Sequence, residues 1–284
     1  MVAKSSQIAI EPENNLRLSA TSRRPICEPG MLREQRQGNG KDRRVLARGE
    51  RVASYNAPMI SRTADYLDAI NHLPSGTSLV VHQFSWDDYE RLVDELLDRH
   101  DLRVTYDRGK LEIMSPLPEH EKYAAFIDDL VRFVSEALDQ NLEKLGRTTW
   151  KKRSVAKGVE PDTCFYVKNA VHIIGKRKID LESDPPPDIA VEIDITNESS
   201  SKFPIYAALS VPEIWRYDGQ KMQFFRLVRG AYREISESRF LAGLTPAMLA
   251  GALEQATTEG QTAALTAFRK QWRQIKSNPI GNQS

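Results

Sequence analysis

"PPPDIAVEIDITNESSSKFPIYAALSVPEIWRYDG", residues 185–219, opens on prolines and runs into the apolar segment around Ile189, Val191 and Ile193. It then passes through "SSKFPIYAAL" to a second strand-like segment, "EIWRY". Proline at a strand entrance is cheap, because the missing N–H lies outside the ladder. Pro204 suits the first turn of a helix between the two strands. Strand, helix, strand is the signature of an α/β unit. The anomaly is charge: Asp188 and Glu192 bracket three apolar residues, and Asp194 follows. On a strand, positions 188, 190, 192 and 194 point to one side. The three acids are therefore expected to converge, with Ala190 leaving space between them. Burying an unpaired carboxylate is costly. Either nearby Lys and Arg neutralise these acids, or the strand end is a reaction site holding a cation. Oxygen-rich sets of this kind suit Mg²⁺ or Mn²⁺.

Upstream, "FSWDDYERLVDELLDRH" reads as a helix capped by Ser85, with Asp87 and Asp88 in its first turn. "LRVTYDRGKLEIMSP" reads as a hairpin turning at "DRG", with Val104, Tyr106, Leu111 and Ile113 keeping period two. "EHEKYAAFIDDLVRFVSEALDQNLEKLG" carries the stripe Tyr123, Ile127, Leu130, Val134 and Leu138, with Gly146 as its expected terminator. "TTWKKRSV" and "PDTCFYV" are short strand signals, and Trp150 is expected in the core. Downstream, "EIWRYDGQKMQFFRLVRGAYREI" predicts three strands, with Trp215 and Tyr217 as packing residues, and "TPAMLAGALEQATTEGQTAALTAFRKQWRQI" predicts one or two helices. The order predicts one mixed α/β domain over residues 58–245, its core at about 76–245, with a C-terminal helical tail at 246–284.

The chain has 284 residues and a net charge of +1, so global charge argues neither for nor against a nucleic-acid partner. Two cysteines, Cys27 and Cys164, exclude a disulfide framework and an all-cysteine metal site. No stretch reads as a signal peptide or membrane span, so a cytoplasmic protein is expected. Residues 1–57 differ from the rest. Eleven Lys or Arg lie between Lys4 and Arg51 against six acids, which reads either as a flexible extension or as a basic arm for a phosphate backbone.

Four stretches together resemble a known family: "YDRGKLEIMSPLPEHE", "VEPDTCFYV", "PPDIAVEIDITNESSSKFPIYAALSVPEIWRYD" and "GAYREI". The chain is similar to a large bacterial group, common in cyanobacteria, of "putative restriction endonucleases" once catalogued as a domain of unknown function. That group lies within the PD-(D/E)XK nuclease superfamily. The resemblance covers roughly residues 80–245. It implies a restriction-endonuclease-like core, with a mixed central sheet flanked by helices. It also implies metal-dependent hydrolysis of phosphodiester bonds in DNA, and a homodimer.

By that resemblance Asp162 is the aspartate of the PD motif and Glu192 the acid of the second motif. The motif's lysine position holds Asp194 instead, and Lys202, at the start of the next helix, takes its place. Asp188 matches a second PD pair, while Glu112 and His120 match the stretch leading into the first core helix. The implied metal ligands are Asp162, Glu192 and Asp188, with Mg²⁺ or Mn²⁺ as the ion. Lys202 would stabilise developing charge, and Glu112 or His120 would assist. His120 also reads as a capping or packed histidine. Two basic segments flank Asp162: Lys151, Lys152, Arg153 and Lys157 on one side, Lys176, Arg177 and Lys178 on the other. They read either as solvated sheet edges or as phosphate contacts. The departure at the lysine keeps open a catalytically inactive relative that binds nucleic acid or a protein partner.

Overall fold

The structure is a computed structural model that describes residues 7–10, 62–99, 101–195 and 199–277. Apart from Gln7–Ile10, the expected basic extension at 1–57 lies outside the described residues. In chain order the strands are β1 (Gln7–Ile10), β2 (Ser78–Val81), β3 (Arg103–Asp107), β4 (Lys110–Met114), β5 (Glu143–Lys144), β6 (Trp150–Lys152), β7 (Lys157–Val159), β8 (Thr163–Tyr166), β9 (Ile189–Ile193), β10 (Glu213–Tyr217), β11 (Met222–Val228) and β12 (Ala231–Ile235). The helices are α1 (Arg62–Asn71), α2 (Trp86–Glu95), α3 (Pro118–Ala137), α4 (Ala170–Ile173), α5 (Phe203–Ala208), α6 (Pro246–Glu259) and α7 (Gln261–Ser277). Among the described residues no helix is long and apolar enough to cross a membrane.

The strands form two six-stranded sheets, ordered β1-β2-β4-β3-β7-β6 and β12-β11-β10-β9-β8-β5. The second is the mixed central sheet of an α/β core: β9 and β10 run parallel, and the pairs β8–β9, β10–β11 and β11–β12 are antiparallel. A parallel pair needs a crossover, and the segment carrying α5 supplies it. All five residues of β9 are buried. Its alternate residues serve two cores. Ile189, Val191 and Ile193 pack with α3, α6 and α7 through Leu130, Leu253 and Phe268. Ala190 packs on the opposite face with Cys164, Ile205 and Tyr206. Glu192 has the parity of Ala190, so the strand directs its carboxylate toward α5.

The first sheet reaches further than the sequence patterns predict. α1, β1, β2 and β7 carried no recognised signal, and β7 lies inside the basic segment that includes Lys157. The β3–β4 hairpin forms as its pattern predicts. Arg108 and Gly109 both take positive φ, 46° and 95°, as the primed two-residue turn requires. Its apolar residues Val104, Tyr106, Leu111 and Ile113 face α2 in a separate core. α3 stops earlier than the expected Gly146. It ends at Ala137, Asp139 turns left-handed with φ 53°, and the Gln140 N–H returns to the Ser135 carbonyl at 3.0 Å. That closure frees Glu143 and Lys144 to pair with β8 as β5.

Candidate active site

The register of β8 against β9 brings the two motif acids together. Thr163 pairs with Val191 and Cys164 with Ala190. One step beyond the ladder, Asp162 stands across from Glu192, and the Asp162 N–H donates to the Val191 carbonyl at 3.0 Å. The Asp162 carboxylate accepts the Ile193 N–H at 2.8 Å through Oδ2. Both acids are buried, at 5% and 1% exposure. They line one small pocket of about 30 Å³ where the two sheets meet. β3 and β4 contribute Arg103, Thr105, Glu112 and Met114 to its wall, and the start of α5 contributes Lys202.

Glu192 is gripped from α5 at both oxygens. The Lys202 ammonium donates to Oε2 at 2.7 Å, and the Tyr206 hydroxyl donates to Oε1 in a short hydrogen bond. Lys202 and Tyr206 are four residues apart, the spacing that puts two side chains on one side of a helical turn. Burial pushes the Glu192 carboxyl up to about 7, with Lys202 opposing and Asp162 reinforcing the shift. Burial works to lower the Lys202 ammonium, but the charges of Glu192 and Asp162 outweigh it and hold the pKa above its usual value.

Asp162 has its own cation. The buried Arg103 donates Nε–H to Oδ1 at 3.2 Å, Nη2 to Glu121 at 2.6 Å, and Nη1 to the Leu102 carbonyl at 3.1 Å. Asp194, the third acid of the strand end, pairs with Arg216 of β10. Two of the three acids of the opening stretch, Glu192 and Asp194, are thus paired with the protein's own cations. Arg103 and Tyr206 were missed in the sequence. Tyr206 was findable, four residues after Lys202. Arg103 occupies the polar parity of an otherwise ordinary hairpin strand, and no local signal marks it.

Glu112 reaches the same pocket from β4, 3.4 Å from Lys110. His120 lies in the first turn of α3 and is fully buried. Burial holds its imidazole below the usual value. Asp162 opposes this while Arg103 and Lys202 add to it, which places the ring within electrostatic reach of the pocket.

Asp188 requires a correction. It shares the face of Glu192 but stands four residues away, about 13 Å along a strand. Its Oδ2 accepts the N–H groups of Val167 and Asn169, both at 2.8 Å. It organises the turn before α4 and does not line the acidic pocket. Burial raises its pKa against those two hydrogen bonds. Cys164, two residues from Asp162 on the same strand face, does not line the pocket either: its thiol donates to the Gly146 carbonyl at 3.4 Å, and burial pushes it up to about 12.

The basic segments also separate from the acids. Lys151, Arg153, Arg177 and Lys178 line a cleft of about 1100 Å³ beside α2, which shares no lining residue with the pocket of Asp162. Arg153 is occupied by Asp87 and Glu90 and lies over the Trp86 ring. Lys152 is half-buried beside this cleft, with Glu182 feeling its charge. Lys176 pairs with Asp184. Lys157 is a correction: its side chain is 9% exposed and its ammonium is 2.5 Å from Asp107, so it ties β7 to β3. Arg177 and Lys178 are exposed in the loop after α4.

Among the described residues no group of three or more His, Cys, Asp and Glu side chains is arranged to hold a metal ion. Four carboxylates line the pocket: Asp162 and Glu192, Glu112 across from them, and Asp194, which is paired with Arg216. No curated protein matches the chain. Residues 86–258 match the family Uma2, described as "Putative restriction endonuclease", and the chain belongs to that family.

Proposed function

We propose that the protein is a metal-dependent endonuclease that hydrolyses phosphodiester bonds in DNA at the pocket of Asp162 and Glu192. The observation that carries this reading is the placement of the two acids opposite each other where the start of β8 meets the end of β9, with Lys202 against Glu192, in an Uma2 chain. The donor chemistry fits a hard divalent cation: carboxylate oxygens around a space of about 30 Å³ suit Mg²⁺ or Mn²⁺. Asp162 and Glu192 would hold it, and Asp188 would not. Such an ion supplies Lewis-acid polarisation of a phosphodiester and a more acidic water. Lys202 is a compact point charge, 18% exposed, and stabilises negative charge developing beside Glu192. Glu112 approaches from the opposite wall, in a position to orient water. Cutting both strands of a duplex calls for a second copy of the chain; a single copy nicks.

The test is cleavage of plasmid and single-stranded DNA by the purified protein with Mn²⁺ or Mg²⁺, stopped by EDTA. Glu192→Ala abolishes cleavage and keeps DNA binding. Wild-type cleavage by Glu192→Ala would refute the site. A second reading is favoured by the internal compensation of both acids and by Asp194 in the motif's lysine position. In that reading the chain binds nucleic acid or a protein without cutting. DNA binding without metal-dependent cleavage selects the nucleic-acid form, and a folded protein with neither property selects a protein partner.

A further inference from the structure

We propose that Arg103 is the positioning residue of the acidic pocket: it holds the Asp162 carboxylate in the orientation that faces Glu192. The proposal deepens the nuclease reading and rests on it only for the metal measurement below. The guanidinium is 2% exposed and donates in three directions, to Asp162, Glu121 and the Leu102 carbonyl. A planar fork with three fixed acceptors cannot turn without leaving a buried N–H unpaired. Glu121 is held in turn by Arg147, at 2.8 Å from the same Oε1. A chain of charges therefore runs from Arg147, on the wall of the large cleft, through Glu121 and Arg103 to Asp162. Asp162 is pinned at Oδ1 by Arg103 and at Oδ2 by the N–H of Ile193, the residue next to Glu192.

A purely structural role explains this arrangement poorly. A buried ion pair is a weak stabiliser compared with apolar side chains of similar volume. Arg103 has no place in the apolar core, which takes Leu102 and Val104; it lies on the pocket side of β3. The two acids also have cations of different character. Lys202 is 18% exposed and bonds one carboxylate, whereas Arg103 is 2% exposed and bonds three groups. An arriving divalent ion can replace the Lys202 ammonium at Glu192, but not the guanidinium at Asp162. Each carboxylate oxygen has two lone pairs, so Arg103 orients Asp162 without using up its donor capacity.

The experiment compares full-length wild type with Arg103→Met, Arg103→Lys and Glu121→Gln. The first readout needs no metal: backbone amide exchange at Ile193, whose N–H is bonded to Asp162, measured against Ile189 and Val191 in the same strand. Arg103→Met speeds exchange at Ile193 selectively, by roughly tenfold or more, the factor that corresponds to weakening one hydrogen bond to a charged acceptor. Arg103→Lys recovers part of the protection, and Glu121→Gln shifts it in the same direction by less. Uniform acceleration across the strand would show a merely structural residue and overturn the proposal. The second readout is Mn²⁺ affinity by calorimetry, expected to fall about 10–100-fold in Arg103→Met. Unchanged affinity in that variant, with wild type binding normally, also overturns it. If wild type binds no Mn²⁺, the metal reading of the pocket fails, while the exchange data still decide the role of Arg103. If Arg103→Met does not fold, Arg103→Lys and Glu121→Gln carry both readouts.

Discussion

Lys202 and Glu192 meet at 2.7 Å, with the lysine on the first turn leading into α5 and the glutamate at the end of β9. Ten residues separate them in the chain, and the crossover that a parallel strand pair requires folds one back onto the other. The same geometry delivers Tyr206 to the second oxygen of Glu192. The carboxylate is thereby held at the strand end with both oxygens engaged.

Glu192 titrates near neutrality. Its carboxyl is pushed from 4.5 to about 7 by burial, with Lys202 opposing the shift. Removing the ammonium with Lys202→Met therefore raises the midpoint further, as seen by carboxyl-carbon NMR of the metal-free protein. For a raised carboxyl the linkage sign is fixed. The stabilising contribution is present below pH 4.5 and is lost as pH rises through about 7. A midpoint that falls in Lys202→Met would contradict the pairing.

Tyr206→Phe removes one donor from a fully buried carboxylate. Loss of a buried hydrogen bond to a charged acceptor costs about 1–3 kcal/mol. Urea unfolding should show this loss with an unchanged slope, and the Glu192 midpoint should rise, because the hydroxyl helps to hold it down.

Gly158 lies in β7 directly under Tyr89, and a Cβ there would come within 1.9 Å of the Tyr89 hydroxyl oxygen. That hydroxyl is buried without a hydrogen-bond partner among the described residues. Gly158→Ala is expected to destabilise by about 1–3 kcal/mol through overpacking. Tyr89→Phe should be close to neutral by itself and should recover part of the loss in the double variant, since the ring carbon Cζ still lies 2.6 Å from that Cβ. An additive double-mutant cycle would show that the two residues do not interact.

Arg177 and Lys178 are exposed and line the large cleft, whereas the exposed Arg153 and Lys176 are paired with acids and Lys157 is committed to Asp107. If DNA lies along the large cleft, Arg177→Ala with Lys178→Ala weakens binding and reduces the salt slope by about 0.9 for each phosphate that is no longer neutralised. Lys157→Ala should instead lower thermal stability. The reverse pattern, with Lys157 governing the salt slope, would remove this cleft from the interface.

The sequence by itself determined the pieces whose signals are local. Period two in the β3–β4 hairpin, the apolar stripe of α3, the buried run of β9 and the proline before α5 each follow from side-chain placement within a few residues. The pairing of Asp162 with Glu192 and the place of Lys202 were legible through motif order. What the tertiary structure decided is which charges meet. Asp188 and Glu192 share a strand face, yet strand rise separates them, and the turn before α4 consumes Asp188. Lys157 reads as one more cation in a basic run, yet β7 pairs with β3 and turns it inward to Asp107. Arg103 is 59 residues from Asp162, and only the packing of one sheet against the other brings its guanidinium to that carboxylate. Short-range patterns follow from backbone geometry that repeats within each element. A buried charge takes its partner from whatever the fold places beside it, and that depends on strand register and sheet packing across the whole domain.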